Sequence, residues 1–376
     1  MTALRPLAGA ALRRIRGTAW RLAGALGFEG ASPPVSFVVE KADWSIRWDG
    51  LYITNHVNDL VGPETAGIVT DPAPLRRRVV HFGSQFLWTQ WWKSLSSSNR
   101  FAVTFFHGKR EDGPDMARHV DQFLESLPRL GRVLTACSLT EARLLAYGVP
   151  RERLVRIPIG VDTGAFSMAG SADRAAAKAA LGLPADSVVI GSFQKDGVGW
   201  GDGMEPKMIK GPDIFIEAVG RIAKEHPVHV LLTGPARGYV KAGLERLGVP
   251  YRHLYLDDYR RIVQCYHALD LYLMTSREEG GPKAIMESMA TGTPLVASAC
   301  GMAPDLIADG RNGALVPVGD AAAAANRALD LLADRDRLGT ILAVARQDVV
   351  ATCDWRNVAE AHWHQVYAPL AAELGR

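Results

Sequence analysis

Short, continuous apolar runs alternate with helix-period stretches along most of this chain, and the alternation starts twice. The first series has apolar runs at 35–39, 66–69, 79–82, 101–106 and 132–136, with helical patterns near 44–59, 84–96, 114–128 and 139–147. The second has runs at 187–193, 228–233, 252–256, 271–275, 294–298 and 313–317, separated by helical patterns and closed by helices at 320–333 and 335–351. Runs that are apolar on both faces read as parallel strands covered by helices on each side. The spacing therefore predicts an α/β chain of two open units. The expected boundaries are a basic amphipathic segment at 1–30, a first domain at 31–170, a second at 171–350 and a closing helix at 351–376. Ser138-Leu139-Thr140-Glu141 reads as a capping box, and Gly148 as the stop of that helix. Ligands of such sheets lie beyond the carboxyl ends of the strands, and two units predict a site in the cleft between them.

Composition narrows the class. With 48% hydrophobic and 22% charged residues over 376 positions, the chain is neither disordered nor fibrous. The four cysteines (Cys137, Cys265, Cys300, Cys353) form no C-x-x-C pair and read as reduced thiols of a cytoplasmic protein. No charge-free apolar run approaches the ~18 residues of a membrane span. The net charge of +3 is unevenly placed: residues 1–27 hold five arginines and no acid, leaving −2 on the remainder. In that leader, Leu4, Ala8, Leu12, Ile15, Ala19, Leu22 and Leu26 share a helical face opposite Arg13, Arg14 and Arg21. One reading is a helix lying peripherally on the anionic inner face of the plasma membrane. The others are a terminal helix docked on its own protein, or a disordered extension. No nucleic-acid partner is expected.

The densest chemistry follows the run at 271–275. Ser276-Arg277-Glu278-Glu279-Gly280-Gly281-Pro282-Lys283 leads into a helical pattern carrying Glu287. Pro282 suits the first helical position. Glycines there admit close backbone approach, and a helix start favours an anion. Two carboxylates eight residues apart, at Glu279 and Glu287, suit a ligand with hydroxyls at its ends and phosphate between. A solvated helix start carrying acids is the plainer reading of the same spacing.

Glu279-x7-Glu287, continuing through Ser288 to Ser298, resembles the signature of family-4 glycosyltransferases, which are retaining enzymes of the GT-B fold, group 1 of the glycosyl transferases. Residues 301–307, 309–316 and 157–162, with Phe166, fit the same pattern. The resemblance is specific over about 150–320, weaker over 35–150, and does not reach 1–30. It implies two Rossmann-like domains facing across a cleft. A nucleotide diphosphate sugar would be held mainly by the second domain, and a carbohydrate or lipid-linked acceptor of polysaccharide biosynthesis by the first. Glu287 would hold the ribose; Glu279 and the backbone of Gly280, Gly281, Pro282 and Lys283 would hold the donor sugar. The family needs no metal and no cofactor beyond its donor, because basic side chains neutralise the diphosphate.

That basic set departs from the pattern here. The resemblance expects an arginine just after the first strand of the second domain, where Gly191-Ser192-Phe193-Gln194-Lys195 has serine. The expected Lys-Gly pair is present as Lys210-Gly211, making Lys210 the diphosphate ligand, with Lys195 or Lys207 in place of the arginine. A glycine-rich insert at 196–207 reads either as a lid or as a flexible surface loop. Backbone near Thr233 is expected to meet the base. In the first domain, His107 follows an apolar run and is the expected catalytic histidine, with His81 a weaker candidate. The usual Gly-Gly turn is absent, and residues 40–45 stand in its place. Trp88, Trp91 and Trp92 read as core packing or as a sugar- or membrane-facing patch; Arg76–Arg78 read as a solvated run or an anionic-acceptor contact. Two other classes compete: a nucleotide-sugar epimerase of GT-B shape, and a non-catalytic nucleotide-sugar-binding scaffold. A dehydrogenase is disfavoured, since no G-x-G-x-x-G follows the first run.

Overall fold

The computed structural model describes residues 32–41 and 45–375. The basic leader 1–27 and residues 42–44 of the first strand–helix turn lie outside the described residues. The chain divides into two units, one running to Ile159 and resuming at Trp355, the other being Gly160–Asp354.

The first unit runs β1 (Val35–Val38), α1 (Ser45–Val61), β2 (Ala66–Val69), β3 (Val79–Phe82), α2 (Gln85–Trp91), β4 (Arg100–Thr104), α3 (Pro114–Glu125), β5 (Leu130–Thr135), α4 (Ser138–Ala146) and β6 (Leu154–Arg156). Its six strands are parallel, in the order β2-β1-β3-β4-β5-β6. Alternate side chains of each strand feed opposite faces, as the pleat requires. Val38, Val80, Phe82, Phe101 and Val103 pack with Trp88 and Phe123 on one face. Val35, Phe37, Val79, Ala102 and Leu134 pack on the other with Ile53 and Val57 of α1 and with Trp355, Val358, Tyr367 and Leu370. Both faces are therefore dry, which explains the unbroken apolar runs.

Three expectations change here, and for the tryptophan triplet one of the two readings is selected. Strand β6 is additional; three residues are too few to show a pattern. Ser138 is the first residue of α4 and not its cap: the cap position falls to Cys137, whose backbone is extended and whose side chain bonds no backbone amide. Trp88 is fully buried, and Trp91 and Trp92 pack against the same cluster, so this triplet is core. His81 is also fully buried, bonded to Tyr367 Oη and Thr104 Oγ1 at 2.8 Å each, and so lines no open site.

The second unit runs α5 (Ser171–Ala180), β7 (Val188–Ser192), α6 (Pro212–Ile222), β8 (Val228–Thr233), α7 (Gly238–Leu247), β9 (Tyr251–Leu254), α8 (Ile262–His267), β10 (Leu271–Met274), α9 (Lys283–Thr291), β11 (Leu295–Ser298), α10 (Ala303–Leu306), β12 (Ala314–Val316), α11 (Ala321–Ala333) and α12 (Arg335–Cys353). Its parallel sheet has the order β12-β11-β10-β7-β8-β9. Counted from its own first strand this is the 3-2-1-4-5-6 order of dinucleotide-binding sheets. The chain leaves β7 in one direction towards β9, then returns to build β10 to β12 on the other side. The loops after β7 and β10 therefore diverge at their carboxyl ends, opening the crevice where such sheets bind ligands.

Candidate functional site

The loops at that crevice carry most of the residues singled out from the sequence. After β7, the chain makes a hairpin and a short turn that ends at Lys210-Gly211 and starts α6. After β10, Thr275–Glu279 leads into α9. Several bonds lace the two loops together. Lys210 Nζ lies 2.5 Å from Glu279 Oε1, and Ser276 Oγ donates to the same oxygen at 2.8 Å. Arg277 N donates to Ile209 O at 2.8 Å, and the Arg277 guanidinium forks onto both carboxylate oxygens of Asp213 at 2.8 and 2.6 Å. That fork holds the Asp213 carboxyl below the usual carboxylate range. Thr275 Oγ1 donates to Gly211 O at 2.9 Å, and Gln194 Nε2 to Lys210 O at 3.1 Å.

Gly211 shows why the Lys-Gly pair has this form. Its φ is +62°, and a Cβ there would lie 1.9 Å from Thr275 O. No side chain fits, so glycine at 211 is what lets Lys210 stand beside Glu279.

Glu287 sits in the second turn of α9 and is 4% exposed. Two phenols meet it: Tyr266 Oη donates to Oε2 at 2.7 Å, and Tyr259 Oη donates to Oε1. Burial, reinforced by the Glu287 charge, pushes the Tyr266 phenol well above its ordinary pKa, so it remains a donor. Tyr272, buried beside it, accepts from Phe193 N at 2.9 Å and is also raised by burial. A carboxylate in a nearly dry place needs such partners. Tyr266 was legible only indirectly: a tyrosine on the apolar face of a short helix implies a buried partner for its hydroxyl.

The remaining expected residues fall as follows. Gly280 is buried, and Gly281, Pro282 and Lys283 are half-buried at the start of α9. Pro282 is the cap residue and Lys283 the first helical one, a shift of one from the expected place. The backbone brings three lysines together, with Lys210 N bonding to Lys207 O at 2.8 Å and Lys207 N to Asp196 O, next to Lys195, at 2.7 Å; burial first, and then the charges of Lys195 and Lys210, lower the Lys207 pKa. Lys195 Nζ also lies 3.7 Å from the Trp200 ring centre. The space beside Gly191 is taken by Leu269, 2.2 Å from where a Cβ would be, so its smallness serves packing. Thr233 ends β8 and is 3% exposed. The insert at 196–207 is a bonded hairpin, with Val198 N to Glu205 O at 2.8 Å and Lys207 N to Asp196 O at 2.7 Å, and so is not an unstructured loop. Among the described residues no group of three histidine, cysteine or acidic side chains could hold a metal ion.

In the first unit, His107 follows β4 and is half-buried. Its backbone is held by Gln85, a residue with no sequence signal: Gln85 Nε2 donates to His107 O at 2.9 Å and Gln85 Oε1 accepts from Phe106 N at 3.2 Å. Phe86 lies 6.1 Å from the His107 ring and stacks on His119 at 4.3 Å. The same end of the sheet holds a small pocket of ≈ 30 Å³, lined by Phe37, Asp49, Thr135, Phe106, Trp355 and His362 among others. Its lining draws on the carboxyl-end regions of β1, β3, β4 and β5. No helix among the described residues is long and apolar enough to cross a membrane.

The sequence profile of the Glycosyl transferases group 1 family matches residues 201–334. Over those residues the chain is similar to the group 1 glycosyl transferases. It is 31% identical over 249 residues to the D-inositol 3-phosphate glycosyltransferase of Nocardia farcinica, covering 60% of this chain and 50% of that protein. It is 31% identical over 227 residues to the enzyme of that name from Mycolicibacterium smegmatis, covering 57% of this chain and 47% of the other. The chain thus spans about half the length of the curated relatives it matches. In three dimensions it resembles Anabaena Alr3699/HepE, crystallised with UDP and glucose, at a TM-score of 0.73 and 18% identity over 90% of this chain and 99% of that one. Sucrose-phosphate synthase from Thermosynechococcus elongatus superposes at 0.73 and 17% identity over 91% and 100%. These likenesses give the GT-B fold, two parallel six-stranded sheets covered by helices.

Proposed function

We propose that the protein transfers a sugar from a nucleotide diphosphate sugar to an acceptor hydroxyl, with retention at the anomeric carbon and without a metal ion. One observation carries the reading: a lysine-bound carboxylate, Glu279, and a phenol-bound carboxylate, Glu287, stand eight residues apart at the switch point of a dinucleotide-type sheet. Glu287, oriented by Tyr266, accepts from the ribose hydroxyls, and Tyr259, 42% exposed, gives way as the nucleotide enters. Lys210, with Lys207 and Lys195, meets the diphosphate. Glu279 and the backbone of Gly280, Gly281, Pro282 and Lys283 meet the sugar.

As the anomeric C–O bond breaks, its electron pair passes to the diphosphate oxygen, and charge grows beside those ammonium groups. Fixed donors at a developing charge lower the barrier most. The acceptor hydroxyl attacks from the face the diphosphate leaves, and a diphosphate oxygen takes its proton. The first unit holds the acceptor, a carbohydrate or a lipid-linked sugar, near His107 at the carboxyl end of its sheet. That the solved chain of like fold carries UDP and glucose supports a nucleotide-sugar ligand.

A thermal-shift panel of nucleotide sugars identifies the donor through the stabilisation that binding gives. With that donor, Lys210→Ala is expected to lower turnover by at least ~100-fold, the scale of losing one donor at a developing charge. Epimer formation would overturn the reading in favour of an isomerase, and binding without turnover in favour of a scaffold.

A further inference from the structure

We propose that Arg237 is a positioning residue for the diphosphate-binding lysines, acting through the hairpin 196–207. This rests on the donor reading above. Ser192 stands where the resemblance expects an arginine, and Arg237 arrives there from the turn after β8. Its guanidinium is buried. Nη1 donates to Ser192 O and to Thr233 O, each at 2.7 Å, Nη2 donates to Ser192 Oγ at 2.9 Å, and Nε donates to Asp196 Oδ1 at 2.9 Å. The side chains of Arg237 and Asp196 are 0% and 1% exposed. A guanidinium engaged on four sides in a dry place is not a phosphate ligand. It fastens the ends of β7 and β8 to each other and to the first residue of the hairpin.

The hairpin is fixed from that point outward. Asp196 O accepts from Lys207 N, which closes its base. Asp202 O accepts from Gly238 N at 2.6 Å and Gly203 O from Tyr239 N at 3.0 Å, which ties its tip to the start of α7. Gly197 and Gly203 both pack on the Ala236 carbonyl, where a Cβ would lie 2.3 and 2.2 Å from the oxygen. The two glycines are therefore what a hairpin pressed onto the next turn requires, and the departure from the family pattern has one explanation. The insert brings Lys207 and Lys195 to Lys210, and Arg237 holds the insert.

Removing Arg237 alone would leave the Asp196 carboxylate buried without its partner, a strongly destabilising change. The variant to test is therefore the double Arg237→Met with Asp196→Asn in the full chain. The first readout needs no ligand: the pH profile for acylation of the Lys207 amine. Burial in the hairpin, and then the charges of Lys195 and Lys210, hold that amine's pKa down in the native protein. In the double variant the profile should move towards that of an ordinary lysine. The second readout is affinity for inorganic pyrophosphate, expected to weaken about 10-fold. If the double variant does not fold, Gly203→Ala loosens the hairpin without touching the pair and should move both readouts the same way. A folded variant with the native Lys207 profile, or with native pyrophosphate affinity, overturns the proposal. A native protein that ignores pyrophosphate and every nucleoside diphosphate, while the Lys207 profile still moves, overturns the donor reading and leaves Arg237 as the anchor of the lysines.

Discussion

Gly211→Ala changes one methyl group and leaves every charged residue of the site in place. The native backbone at 211 has φ +62° and ψ 40°, left-handed, and a methyl there would sit 1.9 Å from Thr275 O and 2.8 Å from Thr275 C. The left-handed conformation costs an alanine roughly 1–2 kcal/mol. Restoring a tolerable carbon–oxygen contact needs a shift of about 1 Å between two backbones, and forced overpacking of that kind costs about 1–3 kcal/mol. The sum is roughly 2–5 kcal/mol, or about 5–15 °C in the thermal midpoint of a unit this size. The same shift moves Lys210 away from Glu279, and a displacement of about 1 Å at a reacting centre costs on the order of 100-fold in rate. Differential scanning calorimetry and donor turnover measure the two effects on one preparation. A Gly211→Ala protein with a native midpoint and native turnover would refute the argument that glycine at 211 places Lys210.

Two further outcomes are expected. Burial pushes the His362 imidazole down to about 4, and its neighbour His81 is lowered in the same way. Because the folded pKa lies below the unfolded value, the unfolded chain binds more protons between pH 6.5 and 4. Stability is complete above that window and declines as pH falls through it, by about 3 kcal/mol for His362. His362→Gln should flatten the pH dependence of unfolding there, and a dependence identical to the native one would contradict the assignment. Deleting residues 1–27 should release the protein from anionic liposomes in a sedimentation assay, and unchanged binding would remove the membrane reading of that leader.

Much of this fold was open to reading because both faces of each sheet are buried. A stretch such as 101–103 must then be apolar at every position, since Phe101 and Val103 serve one core and Ala102 the other. What resisted reading depended on contacts distant in sequence. Ser138 and Pro282 each sit one residue from the expected place, because a cap is decided by backbone angles that composition fixes only loosely. Glu279 and Glu287 stood out as acids flanking a glycine-rich helix start, and Lys210 stood out through its Lys-Gly pair. Their pairings did not: Tyr266 lies in another helix, and Lys210 is 69 residues from Glu279. Arg237 is 45 residues from Ser192, and nothing around either residue announces the other. Gln85 was invisible for a similar reason, since its role is to bind the backbone at Phe106 and His107.

The central claim is that Glu287 and the lysine group hold opposite ends of one nucleotide diphosphate. Calorimetric titration of native and Glu287→Gln protein with the nucleoside diphosphate of the donor, and with inorganic pyrophosphate, separates the two ends. The account predicts that the nucleoside diphosphate weakens by about 10-fold or more, the range of a hydrogen bond to a charged group, while pyrophosphate binds as before. Equal affinity of both proteins for the nucleoside diphosphate would contradict it.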